Sequence, residues 1–93
     1  MWHAKKVDLA DNVTTILSTS AIVKGVYINT AMSAHACDIS NGASPLLILV
    51  ASLAAGTTID FAGEKGVLFD ESLIVDPDDA ATGSITIFYK DRT

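Results

Sequence analysis

The chain has 93 residues, of which 49% are hydrophobic and 18% charged, and its formal net charge is −5. This length corresponds to one domain. Its six lysines and arginines are scattered from Lys5 to Arg92, so no basic stripe is present and nucleic-acid binding is disfavoured. The acidity also argues against binding to an anionic membrane surface.

The N-terminal residues 1–12 contain Trp2, His3 and two lysines, and they lack the apolar stretch of a signal peptide. We expect them to form an N-terminal arm or an edge strand. Residues 13–93 are predicted to form a single β-sandwich domain. A chain with one cysteine, Cys37, and no signal peptide is expected to be made in a reducing cytoplasm.

The rest of the chain alternates apolar and polar residues with a period of two. The run "SITIFYK" places Ile85, Ile87 and Tyr89 on one face and Thr86 and Phe88 on the other. Turn residues such as Asn41-Gly42 and Asp76-Pro77-Asp78-Asp79 separate such runs. The predicted strands are Val13–Leu17, Ile22–Asn29, His35–Ser40, Leu46–Ala51, Thr58–Phe61, Val67–Phe69, Leu73–Val75 and Ser84–Lys90.

The segment "ASPLLILVASLAAG" is apolar on nearly every side and permits two interpretations. Ser44, Pro45 and Gly56 could begin and end a helix. We favour a buried strand at Leu46–Ala51, because no charged pair at helical spacing supports the helix. The run is also too short, and too interrupted, to span a membrane.

Short strands separated by regular turns predict an all-β fold, a two-sheet antiparallel sandwich. About eight strands suggest a jelly-roll-like arrangement, with another Greek-key connectivity as the close competitor. The last three predicted strands are expected to line one core with their alternating apolar residues, namely Val67, Phe69, Leu73, Val75, Ile85 and Ile87.

Seven acids between residues 60 and 79 form the densest group of candidate site residues: Asp60, Glu64, Asp70, Glu71, Asp76, Asp78 and Asp79. The last three could ligate Ca²⁺, but "DPDDAATG" lacks the spacing of a calcium loop. We expect a solvated turn in which aspartate side chains accept hydrogen bonds from nearby backbone N–H groups. Whether this turn binds a cation stays open.

Two carboxylates facing each other across a cleft could hydrolyse a sugar. Asp70 and Glu71 are adjacent, so a strand would direct them to opposite faces. They cannot form that pair with each other, and no nucleophile or phosphate-binding motif is present. We therefore expect no enzymatic activity, no catalytic residue and no cofactor.

His35 and Cys37 are two residues apart, and a strand would put both on one face, as half of a zinc site. His3 is the only other histidine and no second thiol exists, so the four ligands of a structural site are lacking. We expect Cys37 to be a small buried hydrophobe and His35 to be exposed or at an interface.

No charged residue lies between Asp38 and Asp60, and none lies between Gly25 and Cys37. A small domain cannot bury so much uncharged chain within itself. We expect part of it to be covered by another copy of the same subunit.

Two runs, "KGVYINTAMSAHACDISNG" and "AAGTTIDFAGEKGVLFDESLIVDPDDAATGSITIFYK", are similar to small proteins encoded among the virion genes of tailed bacteriophages. The resemblance covers about residues 24–90. It consists of an alternating strand, an acidic turn and a last strand of the form Gly-Ser-Ile-Thr-Ile-Phe-Tyr. The segment up to Leu17 departs most from the pattern.

The resemblance implies an accessory structural protein of the virion, synthesised in the host cytoplasm. Such a protein would decorate or cement the capsid as a homo-oligomer, for example a trimer, against the major capsid protein or other virion proteins. A neck or tail component is the alternative within this class. A carbohydrate- or ligand-binding β-sandwich module is the alternative from another class.

Overall fold

The computed structural model describes residues 2–10, 13–61 and 66–91. These residues form nine β-strands and no helix. The strands are β1 (His3–Asp8), β2 (Thr14–Leu17), β3 (Ala21–Thr30), β4 (Cys37–Asn41), β5 (Ser44–Leu49), β6 (Thr58–Asp60), β7 (Val67–Phe69), β8 (Leu73–Pro77) and β9 (Ser84–Asp91). No helix that could cross a membrane occurs in this part of the chain.

The strands build two antiparallel sheets that pack together as a β-sandwich, which confirms the predicted fold class. Sheet A has the order β1-β9-β3-β6, and β7 also pairs with β3. Sheet B has the order β2-β8-β4-β5. Residues that alternate along the strands of both sheets meet in one apolar core.

The pairings are nested around the turn between β4 and β5. From that turn outward, β4 pairs with β5, β3 with β6 and β7, β2 with β8, and β1 with β9. The chain therefore doubles back on itself. Two further pairings, β3 with β9 and β4 with β8, join the nested pairs into sheets.

The predicted core residues lie where the alternation placed them. Phe69, Leu73, Val75, Ile85 and Ile87 are fully buried. Val67 is partly buried and packs against the same core. Each fully buried side chain of this size contributes about 1.5–3 kcal/mol through apolar burial, so these residues account for much of the driving force for folding.

The buried strand predicted at Leu46–Ala51 is wrong in both its bounds and its burial. The strand β5 begins at Ser44, because the tight turn at Gly42 pairs Ser44 with Asn41. It lies at the end of sheet B, where Pro45 is tolerated because an edge strand needs fewer backbone donors. Its side chains are largely exposed.

Smaller differences concern the ends of other strands. β8 continues to Pro77, so the turn predicted at Asp76–Asp79 begins only at Asp78. β4 begins at Cys37 instead of His35, and β2 begins at Thr14 instead of Val13. The N-terminal segment, for which an arm or an edge strand was expected, contains the edge strand β1 paired with β9.

Asn41 ties the β4–β5 turn to the β7–β8 turn. Its side-chain amide donates to Asp70 Oδ1 at 2.7 Å, and its Oδ1 accepts the N–H of Glu71 at 2.9 Å. The N–H of Gly42 donates to the hydroxyl of Ser72 at 3.1 Å. These bonds hold the two turns together, which gives residues 70–72 a structural role.

Candidate functional site

The acidic turn after β8 is organised by its own backbone. Asp78 Oδ1 accepts the N–H of Ala80 at 3.1 Å, and the carbonyl of Asp78 accepts the N–H of Ala81 at 2.9 Å. Aspartate favours turns for this reason. The turn borders a shallow depression of about 340 Å³ that is lined by Ala36, Asp38, Asp76, Pro77, Asp78 and Asp79.

These carboxylates do not form a metal cluster. Among the described residues, no group of three or more histidine, cysteine, aspartate or glutamate side chains is placed to hold a metal ion. Glu64 lies outside the described residues. Asp60 belongs to β6 in sheet A, on the other side of the sandwich from the Asp76–Asp79 turn.

Asp70 and Glu71 lie in the turn between β7 and β8. Asp70 receives the amide of Asn41, while the backbone N–H of Glu71 donates to Asn41. Both side chains are exposed. Their observed contacts, both with Asn41, support the turn.

His35 and Cys37 are not brought together as half of a zinc site. His35 precedes β4, and its Nδ1 lies 3.6 Å from Asp78 Oδ1 across an exposed surface. Cys37 is fully buried in the core. Burial, and then the nearby Asp38 and Asp76 carboxylates, raise the pKa of the Cys37 thiol to about 12. A thiol that stays protonated at neutral pH is a poor nucleophile and a poor metal ligand.

The third candidate ligand, His3, lies elsewhere in the molecule. It belongs to β1 in sheet A, where its ring packs against that of Tyr89 with centroids 5.5 Å apart. The two histidines and the cysteine therefore share no site.

The outer face of sheet B carries an apolar row beside an acidic row. Leu46, Ile48 and Val50 alternate along β5 and its extension, with exposed fractions of 45%, 62% and 61%. Ile48 pairs with Asp38 of β4, and Asp38 pairs with Asp76 of β8. An apolar side chain and two carboxylates therefore follow one another across three neighbouring strands.

The outer face of sheet A is aromatic and carries cations. The Trp2 ring lies 5.6 Å from the Lys24 ammonium and 5.0 Å from the Lys90 ammonium. Trp2 and Phe88 border a largely apolar groove of about 270 Å³ with Gly25 between them. A side chain at Gly25 would come within 2.6 Å of the Ile59 carbonyl oxygen, so glycine is required for this close approach of β6.

The lysines of the described residues are confined to one of the two sheets. All four lysines of the described residues lie in strands of sheet A, namely Lys5, Lys6, Lys24 and Lys90. The strands of sheet B contain Asp38 and Asp76 and no lysine or arginine. Sheet A also contains Asp8, Asp60 and Asp91, so it carries charges of both signs, whereas the charged residues in the strands of sheet B are both carboxylates.

The sequence alone did not reveal either face. Trp2 lies next to Lys24 and Lys90 only because β1 and β3 flank β9. Ile48 lies next to Asp38 and Asp76 through register across β5, β4 and β8. The one signal in the sequence was the uncharged segment between Asp38 and Asp60, which indicated a covered surface without locating it.

Comparison with known proteins identifies no relative: no protein-family model, no curated protein and no solved structure matches this chain.

Proposed function

We propose that the chain is a non-enzymatic structural protein of a tailed-phage virion that decorates or cements the capsid by homo-oligomeric assembly. The observation that carries this proposal is the exposed apolar row of β5, formed by Leu46, Ile48 and Val50. Exposed apolar rows on a small domain are typical of surfaces that another protein covers.

The edges of the two sheets differ in a way that supports assembly at β5. β1 carries Lys5 and Lys6, which discourage pairing with other strands, and β6 and β7 have only three residues each. The edge strand β2 has four residues and a register irregularity. β5 has six residues, no charge and no strand on its outer side among the described residues. It is the edge with the least protection against association.

The viral part of the proposal rests on the resemblance of residues 24–90 to virion proteins of tailed phages. The nested strand order, with β1 beside β9 and β2 beside β8, supports the finer prediction of a jelly roll. Jelly rolls are common among viral capsid domains. Fold alone does not assign function, so this support is by analogy.

The test uses purified particles of the phage whose genome encodes this chain. Mass spectrometry should detect the chain in particles at a stoichiometry comparable with a structural subunit. A cryo-EM difference map between particles with and without it should show density on the capsid exterior. Density at the neck or tail would favour the alternative within the same class, and absence from particles would overturn the proposal.

The groove beside Trp2 is the observation that favours the second candidate, a carbohydrate- or ligand-binding module. Aromatic walls with a few polar groups, here Thr58 and Asp60, are typical of ligand pockets. Titration with a panel of neutral and acidic monosaccharides, followed by the fluorescence of Trp2, would test it. Saturable quenching that Phe88→Ala removes supports the module, and a flat titration for every sugar argues against it.

A further inference from the structure

We propose that the outer face of sheet A of one copy binds the outer face of sheet B of a second copy, with Lys90 and Lys24 opposite Asp76 and Asp38. This inference rests on the proposed homo-oligomeric function and names the two surfaces that meet. The contact is heterologous, because the two copies contribute different faces.

The sheet B surface offers an apolar part and an acidic part in a fixed order. The register places Ile48, Asp38 and Asp76 side by side on β5, β4 and β8. Ile48 is 62% exposed, and Asp76 is also exposed. The strands of this sheet contain no cation that could neutralise the carboxylates.

The sheet A surface offers the matching parts. The register places Leu68, Ile22 and Lys90 side by side on β7, β3 and β9. Leu68 is 44% exposed, and the Lys90 ammonium lies over the exposed Trp2 ring. This row also runs from an exposed apolar side chain, Leu68, to a charged one, Lys90. The positive charge of Lys90 is opposite to the negative charge of Asp76 in the row of sheet B.

Complementary charge identifies the occupant as a second copy. Lysines over the indole ring fit an acidic surface, and sheet B of the same chain supplies one next to exposed apolar side chains. Asp60 is the one carboxylate among the residues that line the groove, and it belongs to β6, at the far side from β9. Aromatic residues at the centre of such contacts commonly carry much of the binding energy.

A heterologous contact closes into a ring when the rotation between copies permits it, and otherwise extends. A trimer, the example that the resemblance suggests, requires such a head-to-tail contact. A two-fold contact between two identical faces would instead bring like charges together, which disfavours the dimer.

The test is a charge-reversal experiment with mixing. Lys90→Glu and Asp76→Lys should each weaken self-association about tenfold or more, because each variant opposes like charges. Mixing the two variants should restore contacts between unlike copies, since the carboxylate introduced on sheet A of one variant then faces the ammonium introduced on sheet B of the other. A closed trimer would keep one like-charge contact, so the mixture should form assemblies with an even number of copies.

Lys5→Glu is the matched control for the charge reversal. It makes the same change of charge on β1, at a position paired with Ile87 on the core side of the sheet. It should associate like the wild type. Circular dichroism and thermal melting confirm that each variant is folded.

Trp2 is the chain's single tryptophan, so its fluorescence reports on sheet A alone. On association its emission should move to shorter wavelength as the ring loses contact with water, in the wild type and in Lys5→Glu. The shift should be absent in Lys90→Glu and return in the mixture.

The outcomes separate this inference from the proposed function. If Ile48→Lys dissociates the oligomer but the mixed variants stay apart and Trp2 emission is unchanged, assembly stands and sheet A is not the partner surface. If the mixture associates and Trp2 responds, the face-to-face contact is established. A wild-type chain that is monomeric under all conditions overturns both.

Discussion

The Cys37 thiol illustrates how burial of a single residue makes stability depend on pH. Its pKa is about 12 in the folded chain, against an ordinary value of 9.0. Above pH 9.0 the unfolded chain releases this proton while the folded chain keeps it. The unfolded state then binds fewer protons, so the free energy of unfolding falls as pH rises.

We therefore expect this thiol to steepen the loss of stability above pH 9.0, by up to about 1.4 kcal/mol per pH unit. Urea unfolding at several alkaline pH values measures it. Cys37→Ala is the control, because it removes the thiol and keeps every other ionisable group. Equal slopes for the wild type and Cys37→Ala would refute the expectation. The native thiol should also react slowly with a disulfide reagent and rapidly after unfolding.

Ile87 and the acids of the Asp76–Asp79 turn are expected to respond very differently to substitution. Ile87 is fully buried, so Ile87→Asp places a carboxyl group in an apolar core and should cost at least about 3 kcal/mol. Asp78→Asn keeps an oxygen that can accept the N–H of Ala80, and should cost less than about 1 kcal/mol. Denaturant unfolding compares them. If Asp78→Asn lowered the free energy of unfolding more than Ile87→Asp does, the interpretation of Asp78 as part of a solvated turn would be wrong.

At the level of elements, the start of β9 depends on Gly83. Its φ of +112° is rarely adopted by residues with a side chain, and a Cβ there would lie 2.7 Å from the Ala31 carbonyl oxygen. Gly56 also has a positive φ, of +86°, but nothing lies near its Cβ position. Comparing substitutions at the two glycines therefore separates the cost of an unfavourable φ from the cost of a steric collision.

We expect Gly56→Ala to cost about 1 kcal/mol and Gly83→Ala to cost about 1–3 kcal/mol more. Thermal and urea unfolding of the two variants provide the measurement. Since the collision at Gly83 is with backbone, no side-chain movement relieves it. Equal losses for the two variants would show that β9 can shift without disturbing the loop at Ala31.

Strands in which apolar and polar residues alternate could be predicted from the sequence. For β5, where they do not alternate, neither the bounds nor the burial could be predicted. In β9, Thr86 separates the buried Ile85 and Ile87, and this period of two indicated both the strand and its buried face. In β5 apolar residues occupy both faces, so periodicity cannot tell a buried strand from an edge. Position in the sheet decided its burial, and that position depends on pairing between distant segments.

The apolar surface could be predicted to exist, but its location in the fold could not be predicted. The uncharged stretch between Asp38 and Asp60 was too long to be buried entirely, and Ile48 and Val50 are exposed within it. That another copy covers this surface stays a prediction. The rows that define the two faces join strands far apart in the chain, such as β5 with β8 or β1 with β3. Register between such strands is set by how the sheets pack, and it is not readable from local patterns.

At the level of the whole molecule, the proposed assembly should be sensitive to salt, because it places Lys90 and Lys24 opposite Asp76 and Asp38. Exposed charges across an interface are screened as ionic strength rises, whereas apolar contacts at Ile48 are not. We expect association to weaken, without vanishing, between low and high salt. Sedimentation velocity at several salt concentrations measures this. An association that strengthens with salt would mean that the lysine and aspartate faces do not meet.

The most direct test of the central claim, that the exposed row of β5 is an assembly surface, is the molar mass in solution by light scattering. We predict an oligomer for the wild type and a 9.7 kDa monomer for Ile48→Lys. Thr19→Lys is the control, because it introduces the same side chain at an exposed residue between β2 and β3, outside the strands of both sheets. It should keep the wild-type mass. A monomeric wild type, or an Ile48→Lys variant with unchanged mass, would contradict the claim.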